Sequence, residues 1–203
     1  MSAAMPPVSD HPVAWKFDYP IFHAETREQW RAWLESNSTA RGVWLCSWRT
    51  PTGRPRCPYP EAVEEAICYG WIDSTSTNLD DDRSLQLFTP RRQKSAWTRL
   101  NRERAAEMES RGLMTDAGRH AIAAAQSNGW WTISEQVEDL VEPADLTAAL
   151  NRDSSARSNW DRFPPSARKQ MLWWIVSAAR DATRASRIAQ IVTEAAAGRR
   201  AQG

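Results

Sequence analysis

Apolar and polar positions alternate along three stretches in the first half of the chain, and this period of two predicts β-strands. The first stretch covers residues 43–48 and the second covers residues 71–79. The third, residues 84–91, follows the second after the acidic turn 80–82. The second and third stretches therefore predict a β-hairpin, which with the first makes a small, mostly antiparallel sheet.

Elsewhere apolar residues recur every three or four positions, which predicts amphipathic helices. Two such helices begin near Glu25 and Pro60, and almost everything after Arg92 has helical spacing. Ser95 and Thr115 precede helical stretches and are residue types that cap helix N-termini. Further helices are predicted at residues 145–150, 166–180 and 183–197. The predicted fold class is α+β: a small, mostly antiparallel sheet packed with helices, followed by a helical C-terminal half.

The length of 203 residues suits a single domain. Residues 1–19 are rich in proline and small polar residues, and they are predicted to form a disordered tail. One α+β domain is predicted over residues 20–198, with a helical C-terminal part over about residues 143–198. Residues 199–203 are predicted to be a second, short tail.

The charge balance argues against a polyanionic partner. Lysine and arginine number 26 against 25 aspartates and glutamates, which gives a net charge of +1. In the arginine-rich C-terminal helices, Arg180, Arg184 and Arg187 fall at positions i, i+4 and i+7, so nucleic-acid binding stays as a third hypothesis behind the two stated below. The sequence signatures of nucleic-acid-binding modules are absent, and a nucleic-acid partner is not expected.

Other features narrow the class of protein. No stretch approaches the roughly 18 apolar residues that a membrane helix requires, so no membrane partner is expected. Cys46, Cys57 and Cys68 form no CxxC pair, and their odd number without a secretion signal predicts reduced thiols in the cytoplasm. The histidines lack metal-ligand spacing and no glycine-rich nucleotide motif occurs, so neither a metal nor a cofactor is expected. The oligomeric state is left open.

Asp73 lies inside a predicted strand, where aspartate is disfavoured. One interpretation is a structural carboxylate that is bonded to backbone N–H groups or to an arginine. The other is a carboxylate at the floor of a pocket, where it could act as a general acid or base. Both interpretations are open at the level of the sequence.

A group of cations follows on the second strand of the predicted hairpin. Arg91, Arg92 and Lys94 come directly before the helix that is predicted to begin at Ser95. A helix N-terminus beside cations is suited to a carboxylate or phosphate. The alternative is that these arginines pair with nearby aspartates. Because the two strands face each other, Asp73 is predicted to lie close enough to Arg91 or Arg92 to interact.

The chain contains 12 tryptophans, some of which could line a pocket for a flat ligand. Trp71 shares the predicted strand face of Asp73. Trp97 is predicted to lie on the first turn of the helix after the arginines, with Asn101 one turn later. The two indoles are therefore predicted to lie near one cavity beside Asp73. The alternative is that they pack in an ordinary core.

Several motifs follow one another in a fixed order. They are Glu61-Ala62-Val63-Glu64-Glu65-Ala66, Gly70-Trp71-Ile72-Asp73, Phe88-Thr89-Pro90-Arg91-Arg92, Ser95-Ala96-Trp97, Asn101, Gly112-Leu113-Met114 and Thr183-Arg184. In this order they resemble the YdeI/OmpD-associated (OmdA-like) family of bacterial proteins, also called bacteriocin-protection proteins, over about residues 22–198. The resemblance implies a protective role in antimicrobial resistance. One departure is Ser74, where members commonly carry glycine.

Two hypotheses from different classes follow. The first is a small-molecule or peptide binding protein with a protective role and a Trp-lined pocket. Its predicted binding residues are Asp73, Trp71, Arg91, Arg92, Trp97 and Asn101. The second is an enzyme that uses Asp73 as general acid or base while Arg91 or Arg92 holds an anionic substrate group. The sequence does not decide whether the protein is catalytic, and it does not name the ligand.

Overall fold

A computed structural model describes residues 11–201 of the chain. These residues form two compact units. The first unit holds the described part of Met1–Ser95 together with Leu100–Asn128. The second holds Ala96–Arg99 together with the described part of Gly129–Gly203. The sequence pattern, which predicts one domain over residues 20–198, does not distinguish the two.

The first unit contains a five-stranded mixed sheet in the order β1-β2-β3-β5-β4. Its strands are β1 (Ala14–Trp15), β2 (Tyr19–His23), β3 (Val43–Trp48), β4 (Trp71–Asn78) and β5 (Arg83–Pro90). The β2 and β3 strands are parallel, and the other neighbours are antiparallel. This sheet, with the helices that accompany it, confirms the predicted α+β class, and the β4–β5 pair confirms the predicted hairpin.

The two faces of the sheet pack differently. Residues directly opposite each other on paired strands share a face. One face carries an apolar cluster of Ile21, Trp44, Cys46, Leu85 and Leu87. The other face packs against helices α1 (Arg27–Ser36) and α2 (Tyr59–Cys68). There the Trp30 ring lies 5.1 Å from the Phe88 ring, and its Nε1 donates to the Ala62 carbonyl at 3.0 Å.

Two more helices complete the first unit, α3 (Arg99–Ser110) and α4 (Asp116–Ser127), although Arg99 itself is grouped with the second unit. Thr115 caps α4 as predicted, because its hydroxyl accepts from the Gly118 N–H. Gly118 is also required by a close approach: a Cβ built on it would lie 2.4 Å from the Cys68 carbonyl oxygen. The C-terminus of α2 can therefore pack this closely against α4 only because residue 118 has no side chain.

A buried ion cluster joins α1 to α2. The Glu65 carboxylate, whose residue is 1% exposed, accepts from Arg27 Nε and from Arg31 Nη1, each at 2.6 Å. Arg27 also pairs with Glu64 at 2.8 Å, and Arg31 donates to the Leu113 carbonyl at 2.9 Å. The glutamates of α2 therefore do not act only through a favourable charge at a helix N-terminus. Glu64 and Glu65 pair with arginines of α1, and Glu65 is a buried, fully paired anion.

The second unit is helical. Its helices are α5 (Glu135–Glu138), α6 (Ala144–Leu150), α7 (Ser154–Arg162), α8 (Pro165–Val176) and α9 (Asp181–Ala196). They enclose an apolar core that includes Leu146, Leu150, Trp160, Ile175 and Ile191. At its edge, the Glu142 carboxylate accepts from Arg157 and from Trp160 Nε1, which ties α7 to the start of α6.

The arginines on α9 are largely engaged within this unit. Arg184 pairs with Asp145 at 2.7 Å. Arg187 donates to the Trp174 carbonyl and lies over the Trp174 ring. Two of the three guanidinium groups on which the nucleic-acid hypothesis depended therefore hold α9 against its neighbours.

Several elements differ from those predicted. The strands β1 and β2 and the helices α5 and α7 were not predicted, and β1 lies inside the segment predicted as a tail; residues 1–10 of that segment lie outside the described residues. Ser95 does not cap a helix, since α3 begins at Arg99. The Ser95 hydroxyl instead accepts from the Arg92 N–H at 3.0 Å in a local turn. No helix within residues 11–201 is long and apolar enough to cross a membrane.

Candidate functional site

A cavity of about 270 Å³ lies in the first unit, between one face of the sheet and the N-terminal end of α2. Its lining residues come from β3, β4, β5, α2 and the segment that leads into α2. They are Leu45, Ser47, Arg56, Cys57, Tyr59, Ala62, Ser76, Ser84, Leu85, Gln86 and Phe88.

The register of β3 and β5 explains why this cavity has a polar floor. Along one sheet face the directly paired residues change from Val43 and Phe88, through Leu45 and Gln86, to Ser47 and Ser84. The apolar end of this series is covered by the helices, and Phe88 is fully buried. The polar end is only partly buried. A ligand in the cavity would therefore meet an apolar wall on one side and hydroxyl groups on the other.

Asp73 lies on the same face of the sheet, opposite Phe88. Its Oδ2 accepts a hydrogen bond of 2.6 Å from the hydroxyl of Tyr59, which lines the cavity. Burial, and then the hydrogen bond and charge of Asp73, raise the pKa of Tyr59 to about 12. At neutral pH Tyr59 is therefore a neutral phenol that donates to a carboxylate, so the two side chains form one polar pair beside the cavity.

Arg91 is close enough to Asp73 to interact with it, as the hairpin predicted. Burial lowers the pKa of Arg91 to about 10, and the Asp73 charge opposes this shift. Arg91 Nε donates to the Trp71 carbonyl at 3.2 Å, and its backbone N–H donates to the Gly70 carbonyl at 2.9 Å. Arg92 is exposed, with its backbone N–H in the turn to Ser95. The hairpin thus fixes Arg91 beside Asp73 while Arg92 faces solvent.

Asn101 lies on α3 and accepts a long hydrogen bond of 3.4 Å from Arg104. Arg104 is also near enough to Tyr59 for its positive charge to lower the pKa of that phenol, against the larger effects that raise it. The first unit therefore brings a second arginine toward the Tyr59–Asp73 pair, one that the sequence did not single out.

The predicted tryptophan lining does not match this cavity, because none of its lining residues is a tryptophan. Trp71 is 2% exposed and packs edge-on against Trp33, with ring centroids 5.8 Å apart. Trp97 is grouped with the second unit and is 1% exposed. Its ring lies 5.0 Å from the Trp131 ring. Each of these two indoles is thus packed in protein.

The helix N-terminus on which the predicted anion site depended is not at Ser95. Trp97 lies on a loop, and the helix begins two residues later at Arg99. The backbone N–H of Arg99 donates to the Glu138 carboxylate, at 3.0 Å to Oε1. A carboxylate of the protein itself already occupies the position that an anionic ligand would take.

Sequence reasoning missed Tyr59, Arg56 and Gln86. Tyr59 stands between Pro58 and Pro60 at the start of a predicted helix, and this rigid approach to the helix was the available signal. Arg56 precedes it in an irregular segment that carries no periodic pattern. Gln86 follows the strand alternation, but the alternation alone does not show that its face is left uncovered.

Over the described part of the chain, the structure shows neither a cluster of metal-ligating side chains nor a cavity-lining thiol that is activated as a nucleophile. Within residues 11–201, no group of three or more His, Cys, Asp or Glu side chains is placed to hold a metal ion. Cys57 lines the cavity, but burial raises the pKa of its thiol to about 12. A protonated thiol is a poor nucleophile. The chemistry available at the cavity is that of carboxylate, phenol, hydroxyl, amide and guanidinium groups.

Two protein families match different parts of the chain. Residues 22–121 match a family model described as a domain of unknown function (DUF8412). Residues 139–198 match the model described as bacteriocin-protection, YdeI or OmpD-associated. The second match confirms the predicted family, although most of the motifs that suggested it, and the cavity itself, lie within the first match. No curated protein and no solved structure matches the chain.

Proposed function

We propose that this chain, whose residues 139–198 match the bacteriocin-protection, YdeI or OmpD-associated family, is a binding protein whose ligand site is the cavity of its first unit. The description of the family suggests a role in protection against bacteriocins. The proposal adds that protection depends on a small molecule, or one side chain of a peptide, held in this cavity.

The observation that carries the proposal is the mixed lining of the cavity. Binding sites for small molecules are usually concave and largely apolar, with a few polar groups that fix orientation. Here Leu45, Ala62 and Phe88 supply the apolar wall, and Ser47 and Ser76 are among the polar groups. The volume of about 270 Å³ is slightly below the usual range of about 300–1,000 Å³, so it suits a compact ligand.

In this proposal the Tyr59 hydroxyl orients the ligand, and Asp73 holds Tyr59 in place. The 2.6 Å hydrogen bond between them holds the phenol at the cavity wall, where its oxygen can still accept a hydrogen bond from a ligand. Arg91 supports Asp73 electrostatically, and Trp71, on the same strand as Asp73, packs edge-on against Trp33. Asp73, one of the residues predicted to bind ligand, therefore adjoins the cavity through its hydrogen bond with Tyr59.

A matched pair of substitutions on β4 tests the proposal. Ser76→Phe places a ring in the cavity lining, whereas Thr75→Phe adds the same ring to the neighbouring exposed position, which does not line the cavity. A deletion strain is complemented with each variant and challenged with a bacteriocin. We expect Thr75→Phe to restore survival as the wild type does, and Ser76→Phe to fail. Full protection by folded Ser76→Phe would contradict the proposal.

The enzyme hypothesis is the second candidate, and the short Tyr59–Asp73 hydrogen bond favours it. A carboxylate paired with a phenol beside a cavity resembles an acid–base arrangement. Asp73→Asn keeps the shape of the side chain and removes its charge. If the protein is an enzyme, this variant retains ligand affinity but loses turnover. If it is a binder, the variant changes affinity and no product forms with either protein.

A further inference from the structure

We propose that the ligand of this cavity carries a carboxylate or similar anionic group, which Arg56 recognises, on a small apolar body. The inference rests on the proposed function, because it names the chemical class of ligand that the same cavity would bind. It follows from the charges and hydrogen-bond donors that surround the cavity.

The charge of the lining is positive. Among the lining residues that lie within 11–201, Arg56 is the charged one, and none is an aspartate or glutamate. Arg56 is exposed, and within residues 11–201 no hydrogen bond or ion pair engages its side chain. A guanidinium at a cavity wall without a carboxylate partner favours an anion, which it can bind through two parallel hydrogen bonds.

Asp73, which is hydrogen-bonded to the cavity-lining Tyr59, does not cancel this charge. One of its oxygens accepts the Tyr59 phenol at 2.6 Å, and the carboxylate interacts electrostatically with Arg91. Arg104 adds another positive charge near Tyr59. The negative charge of Asp73 is therefore already matched within the first unit.

The neutral polar groups reinforce the preference. Ser47 and Ser76 supply hydroxyl groups, which can donate to a ligand oxygen, whereas the Ser84 hydroxyl donates to the Ser47 carbonyl at 3.5 Å. The Gln86 amide nitrogen is used internally, since it donates to the Ser74 and Thr75 carbonyls at 3.2 and 3.3 Å. The apolar wall of Leu45 and Phe88 would contact the uncharged part of the ligand.

Arg54 provides a matched control two residues away in the same segment. Its guanidinium lies over the Trp48 ring, 4.2 Å from the centroid, and it does not line the cavity. Arg54→Gln and Arg56→Gln therefore remove the same charge from the same loop, but only the second changes the cavity wall.

Benzoate and benzamide are suitable probes because they have nearly the same shape and differ in charge. Their affinities are measured by titration into the full-length protein, followed by chemical shifts of backbone amides that line the cavity. We expect benzoate to bind more tightly than benzamide. Arg56→Gln should weaken benzoate about tenfold or more, as expected for a hydrogen bond to a charged group, and leave benzamide unchanged. Arg54→Gln should leave both affinities unchanged.

The outcomes separate this inference from the proposed function. Equal affinities for the two probes, or equal benzoate affinities in the wild type and Arg56→Gln, would overturn the anion proposal while binding in the cavity still stands. Absence of benzoate binding to the wild type would also overturn it. If Ser76→Phe binds both probes as the wild type does, the cavity is not the binding site, and the proposed function fails with the inference.

Discussion

Replacing Glu65 tests the account of how the first unit holds α1 against α2. Glu65→Gln removes the negative charge but keeps the length and shape of the side chain. The carboxylate is 2% exposed and accepts from two arginines at 2.6 Å, so the substitution leaves two partly buried cations without their shared anion.

The structure sets the size of the expected effect. Removing one partner of a buried ion pair costs about 3–5 kcal/mol. Here both cations keep another partner, because Arg27 retains Glu64 at 2.8 Å and Arg31 retains the Leu113 carbonyl at 2.9 Å. We therefore expect the lower end, about 3 kcal/mol, which for a chain of this size corresponds to a fall in Tm of about 6–12 °C.

Urea denaturation followed by far-UV circular dichroism measures the free energy of unfolding. Glu64→Gln is the matched control, since Glu64 shares Arg27 but is 21% exposed. Because its carboxylate is more accessible to solvent than that of Glu65, we expect Glu64→Gln to cost less than Glu65→Gln. If Glu65→Gln costs no more than Glu64→Gln, the cluster is not a buried, fully paired anion and the reasoning fails.

Three further predictions concern backbone packing and titration. Gly118→Ala should destabilise the protein by about 3 kcal/mol in urea denaturation, because its Cβ would lie 2.4 Å from a backbone carbonyl; the gain of about 1 kcal/mol that alanine gives in an ordinary helix would contradict this. Asp73→Asn should lower the pKa of Tyr59 from about 12, though not fully to 10 because burial remains; ¹³C NMR of the phenol ring measures it, and an unchanged pKa would refute the pairing. Burial lowers the pKa of His23 from 6.5 to about 4, so the unfolded chain binds more protons between these values and stability should fall as the pH drops from about 6.5 to 4. His23→Gln should flatten this pH dependence of the unfolding free energy, and an equally steep dependence in the variant would contradict the assignment.

Patterns within short stretches of the sequence predicted the strands, the hairpin turn and the helix cap that depend mainly on neighbouring residues. The alternation of residues 43–48 gave β3 with its observed bounds, and the acidic turn gave the β4–β5 hairpin. Thr115 caps a helix as its position indicates. By contrast, β1 and β2 are only two and five residues long and exist through pairing with other strands, which no local pattern records.

In the candidate site, too, contacts within the hairpin were predicted, whereas contacts between distant parts of the chain were not. The hairpin placed Asp73 near Arg91 because both lie on its strands or directly beside them. The Tyr59 hydroxyl reaches Asp73 only because α2 packs on the sheet, which is a tertiary contact. Ser95 failed as a helix cap because its hydroxyl instead accepts from the backbone N–H of Arg92 in a local turn, which a serine can do equally well.

The central claim is that the cavity of the first unit holds a ligand. Native mass spectrometry of the wild-type, Thr75→Phe and Ser76→Phe proteins, each purified from the organism of origin, tests it most directly. The account predicts one small-molecule adduct of the same mass on the wild type and Thr75→Phe, and its loss from Ser76→Phe. The same adduct on Ser76→Phe, or no adduct on any of the three proteins, would contradict the claim.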